Sequence, residues 1–268
     1  MAKEHFFHPE SAGLLATLDE AAHRSGIGRG QAFDDFLHMV VCSLSGQRME
    51  EQYLEVVKRH SRGKPGKRGC DALSEMFGGA VAAMEETRDE MKDILGDLFQ
   101  GAITYGEAGQ FFTPATVGRM MARMMVSDVP EEERHTVKRV GDPACGSGRM
   151  LLAVAEMQPH WHFVGQDVDL RCVRMCAINL ALRNLSGYVI HGNSLTDERR
   201  LVYRTGFDLV GFISEVPLDA CPEPIRRIAV EQPSSPIEPT SRPPDSHEPF
   251  ADKRDDEPSA PGKQLFLF

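Results

Sequence analysis

The sequence predicts an α/β protein: a helical N-terminal region, residues 1–100, followed by a core of alternating strands and helices, residues 101–221. Two observations predict this fold class. Apolar residues between Phe33 and Leu44 recur at i, i+3, i+4 and i+7, the spacing of one helix face. From Val137 onward, short β-type runs alternate with helical runs, which is typical of a parallel sheet with right-handed crossovers.

In the N-terminal region, the apolar stripe over 33–44 predicts one helix, and a similar stripe over 49–57 predicts a second. The segment 61–69 is rich in Gly, Pro and basic residues, so we expect a loop there. A further helix is predicted over 72–99. The basic residues of the loop are compatible with contact to nucleic-acid phosphates and equally with an ordinary solvated loop.

In the core, four strands and two helices are predicted in chain order. Each strand is a short apolar run, and the first two are each followed by a helical run. The strands are predicted at 137–142, 161–167, 188–191 and 207–214, and the helices end near residues 157 and 184.

The last part of the chain has a different composition. Most of the 17 prolines lie between Pro222 and Pro261, among Ser, Asp and Glu. Because such a segment has too little apolar surface to offset its ordering entropy, residues 222–263 are predicted to be disordered. The chain nevertheless ends in an apolar peptide, residues 264–268, which is typical of a tethered docking peptide.

Composition excludes several classes of protein. Lys and Arg number 30 and Asp and Glu number 40, a formal net charge of −10, which argues against nucleic-acid binding by bulk positive charge. The six cysteines form no CxxC pair, so neither a zinc site nor a disulfide framework is predicted, and no metal site is expected. The sequence has no apolar run of membrane-spanning length and no signal-peptide core, so we expect a cytoplasmic protein without membrane contact.

The sequence Asp-Pro-Ala-Cys-Gly-Ser-Gly, residues 142–148, lies where the first predicted strand becomes a helix. Gly146 and Gly148 allow a sharp turn and close approach of a ligand to the backbone. Asp167 ends the next predicted strand, where a carboxylate can bind a ribose diol. The pattern favours a nucleotide-like ligand, and the alternative is a turn in which the glycines serve steric needs alone.

Residues 142–148 resemble the S-adenosylmethionine loop of DNA adenine-N6 methyltransferases, in particular the modification subunit of type I restriction systems. Further stretches resemble motifs of that family and occur in the family's order. They are Ile94–Phe99, Gly109–Pro114 (its GQ-aromatic-aromatic-TP segment), Gly165–Asp169, Ala177–Leu180 and Gly192–Leu195.

The resemblance implies a Rossmann-like methyltransferase core, S-adenosylmethionine as cofactor and DNA as partner. It implies that the methionine moiety is held by Thr113, Ala144, Gly146 and Gly148, and that Asp167 holds the ribose. Asn193 stands where the family usually has an Asp that meets the adenine, and Glu is usual where Asp167 stands. Phe111 and Asp142 are also assigned to the cofactor site.

The family's catalytic tetrapeptide, Asn/Asp-Pro-Pro-aromatic at the end of the fourth strand, is absent here. That tetrapeptide stacks the flipped adenine and accepts its amino protons. The corresponding segment, 213–218, reads Ile-Ser-Glu-Val-Pro-Leu. Glu215 or Asp219 could accept a proton and Phe212 could stack, but neither matches the family geometry, so no catalytic residue is assigned. The core is also about three strands shorter than in the family.

The C-terminal peptide resembles the one by which bacterial proteins dock on the DNA sliding clamp, through Gln264, Leu265, Leu267 and Phe268. The alternative is a strand that folds back onto an exposed sheet edge. Three functions therefore remain open: a methyltransferase with a degenerate motif, an inactive cofactor-binding adaptor at the clamp, and a partial subunit. A partial subunit would need a second methyltransferase or a specificity subunit.

Overall fold

The computed structural model describes residues 6–104, 112–127 and 129–221, together with the backbone of Leu265–Phe266. The helices are α1 (Pro9–Ser25), α2 (Arg29–Leu44), α3 (Glu50–Arg59), α4 (Gly69–Glu86), α5 (Ile94–Leu98), α6 (Ala115–Ser127), α7 (Arg149–Ala155) and α8 (Leu170–Leu182). The strands are β1 (Arg139–Asp142), β2 (His162–Asp167), β3 (Gly187–Asn193), β4 (Glu198–Thr205), β5 (Ile213–Val216) and β6 (Leu265–Phe266). The helical region followed by an α/β core confirms the predicted fold class.

The start of α1 is fixed by a contact from a distant helix. Pro9 stands in the first turn, where its missing N–H costs nothing. The backbone N–H groups of Phe7 and His8 donate to the two carboxylate oxygens of Asp97, each at 2.9 Å. Asp97 is fully buried in α5, so this contact ties the beginning of the described chain to the segment just before the core.

The helices and the sheet share one hydrophobic core. Phe33 and Phe36 of α2 are fully buried, and the ring of Phe33 stacks on that of Phe99 at 5.8 Å between centroids. Buried residues of α1 to α5 belong to the same apolar cluster as those of β1, β2 and α8. The helical region therefore buries its apolar face against the α/β core, and this packing supplies most of the stability of its helices.

The sheet has the strand order β5-β4-β3-β2-β1-β6. Strands β1, β2 and β3 are parallel, with Asp142 opposite Gly165 and Asp167 opposite His191. Strands β4 and β5 are antiparallel to their neighbours. Because β1, β2 and β3 run the same way, their carboxyl ends meet at one edge of the sheet, where a ligand site is expected.

The structure confirms the local predictions around the glycine turn and corrects others. Strands β1 and β2 and helices α7 and α8 lie where they were predicted, and the loop at 61–69 separates α3 from α4. The predicted helix over 72–99 is wrong as one element. It breaks after Glu86, and Met91 has a left-handed φ of 45° before α5 begins.

The predicted strand at 207–214 is wrong over 207–212, with its last two residues lying in β5, and strand β4 was missed. Residues 207–212 form a turn in which Asp208 accepts hydrogen bonds from the backbone N–H groups of Val210 and Gly211. An Asx-type turn of this kind competes with strand pairing. The following strand, β5, is antiparallel to β4, so the fourth and fifth strands do not extend the parallel sheet.

The tail lies largely outside the described residues. Residues 222–264 and 267–268 are not described, so the predicted disorder lies outside the described residues. The same holds for Gln264, Leu267 and Phe268 of the predicted docking peptide. The backbone of Leu265–Phe266 forms β6, parallel to β1 and opposite Val140 and Gly141. That pairing corresponds to the alternative in which the C-terminus covers a sheet edge.

The described residues contain no group of three or more His, Cys, Asp or Glu side chains placed to hold a metal ion. All six cysteines are free and buried. Within the same described ranges, no helix combines the length and apolarity that a bilayer crossing requires.

Candidate functional site

The glycine turn joins the end of β1 to the beginning of α7, and both of its glycines have left-handed backbone angles. Gly146 has φ +53° and Gly148 has φ +87°. A Cβ on Gly148 would lie 2.8 Å from the Sγ of Cys176 in α8, so this glycine permits close helix packing. A Cβ on Gly146 would lie 2.9 Å from a ring carbon of Phe112, on the side that faces a cavity. The two glycines therefore have different roles.

Two carboxylates flank the turn at the carboxyl ends of adjacent strands. The Asp142 carboxylate ends β1 and accepts from the backbone N–H of Ala144 at 3.1 Å. Asp167 ends β2 and accepts from the N–H of Gly146 at 2.9 Å and from that of Asp169 at 2.9 Å. Asp167 thus holds the turn in place while each of its oxygens keeps a further acceptor site.

The electrostatic environment of these carboxylates favours a positively charged ligand. Burial, reinforced by the negative charge of Asp167, raises the pKa of Asp142 to about 6. Burial likewise raises the pKa of Asp167 above its usual value. A cationic group placed between them would offset both effects, because it favours the ionised form of each carboxylate.

A small cavity of about 70 Å³ lies beside the turn. It is smaller than the pockets of about 300–1,000 Å³ that hold most organic ligands. The ring of Phe112 lines it beside Gly146 and is stacked on Phe99 at 5.9 Å between centroids. The cavity is lined by Phe112, Thr113, Asp142, Ala144, Cys145, Gly146, Ser147, Arg149 and Met150. A larger ligand would therefore need the Phe112 ring to move off Gly146.

Behind the turn, the buried carboxylate of Asp93 collects four hydrogen-bond donors. Its Oδ1 accepts from the N–H of Gly96 at 3.0 Å and from the Asn179 amide at 2.9 Å. Its Oδ2 accepts from Nε of Arg149 at 3.1 Å and from the Ser147 hydroxyl. The network joins the helical region, the glycine turn and α8, and it fixes the direction in which α7 begins.

Arg149, the first residue of α7, also lines the cavity. In addition to its hydrogen bond to Asp93, the guanidinium donates through Nη1 to the carbonyl oxygen of Thr113 at 3.2 Å. The guanidinium carbon lies 5.5 Å from the centre of the Phe112 ring. Its Nη2 is buried and has no hydrogen-bond partner among the described residues. The guanidinium thus has one nitrogen for which the described residues supply no acceptor.

The structure brings some of the predicted cofactor residues together and not others. Thr113, Asp142, Ala144 and Gly146 line the cavity. Gly148 packs against α8 instead, and Asp167 contacts the turn from β2 without lining the cavity. Phe111 lies outside the described residues.

Asn193 ends β3, at the same edge of the sheet as the two carboxylates. Its side-chain oxygen accepts from the backbone N–H of Leu195 at 2.9 Å and shapes the turn into β4. Its amide nitrogen remains a donor, so the residue keeps hydrogen-bonding capacity at the position predicted to meet an adenine.

The segment that should carry the catalytic tetrapeptide contains β5, the outermost strand on the side of the sheet away from β1. Glu215 lies in β5, opposite Tyr203 of β4. Phe212 donates its backbone N–H to the carbonyl oxygen of Leu44 at 2.8 Å, and its ring lies against that of Phe207. Strand β5 is four strands from β1, roughly 19 Å at the usual strand spacing of about 4.8 Å. Neither side chain is therefore placed at the glycine turn.

Sequence reasoning missed three residues of this site: Asp93, Phe112 and Arg149. Asp93 directly precedes the stretch Ile94–Phe99, and Arg149 directly follows the glycine turn, so both border quoted motifs. Phe112 lies within the GQ-aromatic-aromatic-TP segment, whereas the resemblance assigns the neighbouring Phe111 to the cofactor site. The contacts that give them importance are long-range, which the sequence pattern does not show.

Residues 90–212 match the protein-family model described as N-6 DNA Methylase. The type I restriction enzyme MpnII methylase subunit of Mycoplasma pneumoniae is 28% identical over 127 residues, covering 42% of this chain and 22% of that protein. The type I restriction enzyme MjaVIII methylase subunit of Methanocaldococcus jannaschii is 27% identical over 115 residues, covering 40% and 17%. The match thus spans about a fifth of the length of these relatives.

Two solved structures resemble the chain weakly. One is a putative class I S-adenosylmethionine-dependent methyltransferase from Listeria monocytogenes, with a TM-score of 0.38, 16% identity, and coverage of 68% of this chain and 53% of that one. The other is a type I restriction-modification methyltransferase subunit from Streptococcus thermophilus, with a TM-score of 0.36, 12% identity, and coverage of 70% and 60%. These scores are too low to establish a shared fold.

Proposed function

We propose that this chain, which matches the N-6 DNA Methylase family model over residues 90–212, binds S-adenosylmethionine at the glycine turn. One observation carries the proposal. A tight turn with left-handed glycines is flanked by the buried Asp142 and the half-buried Asp167 at the ends of adjacent parallel strands, and the cavity is lined by Arg149, whose Nη2 has no described acceptor. This arrangement suits a ligand that carries both positive and negative groups.

The residues present fit the cofactor. Its ammonium and sulfonium groups are cationic and would offset the burial of Asp142 and Asp167, while its carboxylate needs a donor of the opposite charge. Asp167 has acceptor sites for the ribose hydroxyls, and Asn193 has a donor for the adenine. Thr113, Ala144 and Gly146 would hold the methionine moiety, with Gly146 allowing close backbone approach.

Methyl transfer to adenine needs groups that the described residues do not place at the turn. The target base has to stack on an aromatic ring while acceptors take its amino protons. Glu215 and Phe212 lie at the far edge of the sheet. On the side of β1 away from β2, the described strand is the two-residue β6. We therefore expect the chain alone to bind the cofactor without transferring its methyl group.

The function that fits best is that of a partial subunit whose target-binding parts come from another chain. A second methyltransferase or a specificity subunit would supply the adenine pocket and the DNA-reading surface. The relatives are named as methylase subunits, and the matched segment is a fifth of their length. Both facts support DNA as the substrate and a second subunit as the partner. The described residues do not identify that subunit.

The experiment measures retention of labelled S-adenosylmethionine and transfer of its methyl group to unmethylated DNA. The purified chain is expected to retain the label and to leave DNA unlabelled. Co-expression with a methyltransferase or specificity subunit encoded by an adjacent gene is expected to give methyl transfer. Gly146→Asp should abolish retention, because the side chain enters the cavity at a left-handed φ. The matched control is Gly30→Asp in the first turn of α2, where an added Cβ meets nothing within 4 Å and an acid is tolerated.

The cofactor proposal is overturned if Gly146→Asp retains the label as well as Gly30→Asp does. It is also overturned if the folded wild-type chain retains none. Transfer to DNA by the isolated chain overturns the partial-subunit proposal and restores that of a complete enzyme.

The inactive adaptor at the sliding clamp is the second candidate. Docking through Leu265, Leu267 and Phe268 would require β6 to leave β1, since one peptide cannot occupy both places. Clamp docking and a cytoplasmic location both stay predictions. Binding of the purified clamp, lost on Leu267→Ala with Phe268→Ala while cofactor retention is unchanged, would support the adaptor.

A further inference from the structure

Arg149 has an unusual combination of burial and incomplete pairing. Its side chain is 9% exposed. Nε and Nη1 have partners in Asp93 and Thr113, but the buried Nη2 has none among the described residues. A buried donor without a partner costs on the order of 1–3 kcal/mol and calls for an explanation.

The hydrogen-bonding capacity of Asp93 does not satisfy the guanidinium on its own. The Asp93 carboxylate also accepts from Ser147, Asn179 and the backbone of Gly96. It pairs with Nε of Arg149, and the Nη2 of this cavity-lining side chain is left without a described acceptor. The aromatic face of Phe112, 5.5 Å from the guanidinium carbon, is a weak substitute for an anionic partner.

The chemistry of the available group defines its ligand. A guanidinium presents planar N–H donors in a fixed fork, which matches the two oxygens of a carboxylate. The cavity is lined by one acidic residue, Asp142 at the end of β1, and by one basic residue, Arg149 at the start of α7. A zwitterionic amino-acid moiety would place its ammonium toward the former and its carboxylate toward the latter.

Resting on the proposed cofactor function, we infer that Arg149 pairs with the α-carboxylate of the methionine moiety and makes the site selective for ligands that carry it. Arg149 is then a specificity-determining residue as well as a structural one. In the structure as described, the Phe112 ring lies beside the guanidinium, and the carboxylate takes the place of that contact when the ring moves off Gly146.

The test compares S-adenosylmethionine with decarboxylated S-adenosylmethionine by titration calorimetry. The two ligands share the nucleoside, the sulfonium and the amine, so they differ in the carboxylate alone. Wild-type chain is expected to bind the carboxylated ligand about tenfold to a hundredfold more tightly, the range of a charge-assisted hydrogen bond. The preference is expected to fall to about one in Arg149→Gln and to survive in part in Arg149→Lys, which keeps the charge without the fork.

Arg119→Gln is the matched control, because Arg119 is a partly buried arginine paired with Glu156 that does not line this cavity. It should leave the preference unchanged. A structural role for Arg149 would weaken both ligands equally and leave their ratio intact, so an unchanged ratio in Arg149→Gln overturns the inference.

The wild-type comparison needs no variant and so guards against a variant that fails to fold. Equal affinity of wild-type chain for the two ligands overturns the inference while the proposed function stands. If folded wild-type chain binds neither ligand, the proposed function fails, and this inference fails with it.

Discussion

Asp93 and Arg149 form a buried ion pair, with 3.1 Å between Oδ2 and Nε and with the two side chains 1% and 9% exposed. Asp93 caps α5 in the helical region, and Arg149 begins α7 directly after the glycine turn. The pair therefore connects the N-terminal helices to the candidate cofactor site. We therefore expect the helical region to hold the turn in the conformation described here.

Removing one partner of this pair should be costly. Asp93→Ala leaves the charge of Arg149 and the amide of Asn179 without their acceptor, so we expect a loss of about 3–5 kcal/mol in the free energy of unfolding in urea. The control is Glu85→Ala, which breaks an exposed pair with Arg88 and should cost less than about 1 kcal/mol.

The same account predicts strong coupling between the two side chains. Replacing both, as Asp93→Ala with Arg149→Met, removes the unpaired buried charge and should cost clearly less than the sum of the single changes. Additive losses would show that the pair does not act as a unit.

Gly148 should be more sensitive to a methyl group than a glycine on a helix surface. In Gly148→Ala the new Cβ meets Cys176 Sγ at 2.8 Å and the backbone keeps φ +87°, so we expect destabilisation of about 1–3 kcal/mol. Gly13→Ala in α1 is the matched change, since nothing lies within 4 Å, and it should be neutral or stabilising by about 0.5–1 kcal/mol. Thermal unfolding of the two variants distinguishes them, and equal melting temperatures would refute the packing role of Gly148.

Asp142 gives the stability a predictable dependence on pH. Its pKa is about 6 in the folded chain against about 3.9 when unfolded, so the folded state binds the proton more tightly. The resulting stabilisation is complete below pH 4 and is lost as the pH rises to about 6. Asp142→Asn removes this dependence and keeps an acceptor for Ala144, so the variant should be more stable than wild type at pH 8, by at most about 3 kcal/mol.

Urea unfolding at pH 4 and pH 8 measures this difference, which should be small at pH 4. Asp19→Asn, at a partly exposed carboxylate paired with Arg29, should gain nothing at pH 8. If Asp142→Asn is no more stable than wild type at pH 8, burial does not raise the pKa of Asp142 as described above.

The C-terminal strand should protect β1. Deleting residues 264–268 removes the partner of Val140 and Gly141, so hydrogen exchange at β1 amides should accelerate while that at β3 amides stays unchanged. Unchanged exchange at β1 would mean that the peptide is not paired with the sheet in solution and is free to dock elsewhere.

The elements predicted correctly are those with strong local patterns. A short apolar strand, a glycine turn and an apolar helix identify β1 and α7 without any long-range information. Strand β4 was missed because Arg199, Arg200 and Arg204 interrupt its apolar residues, although the left-handed Asp197 before it is typical of a hairpin turn. The strand at 207–214 was predicted from an apolar run, but Gly206, Asp208 and Gly211 favour a turn.

The parts of the site that sequence could not predict depend on distant partners. The Asp93 network joins residues that are 54 to 86 positions apart along the chain. The parallel pairing of β6 with β1 joins residues separated by the whole proline-rich tail. Local patterns contain no information on such contacts, whereas the motif order around Asp142 and Asp167 located the turn correctly.

Titration calorimetry of the folded full-length chain with S-adenosylmethionine tests the central claim most directly. The account predicts saturable binding at one site per chain, retained in Gly30→Asp and abolished in Gly146→Asp. No heat of binding from a chain that unfolds cooperatively, or equal binding by Gly146→Asp, would contradict the assignment of the glycine turn as the cofactor site.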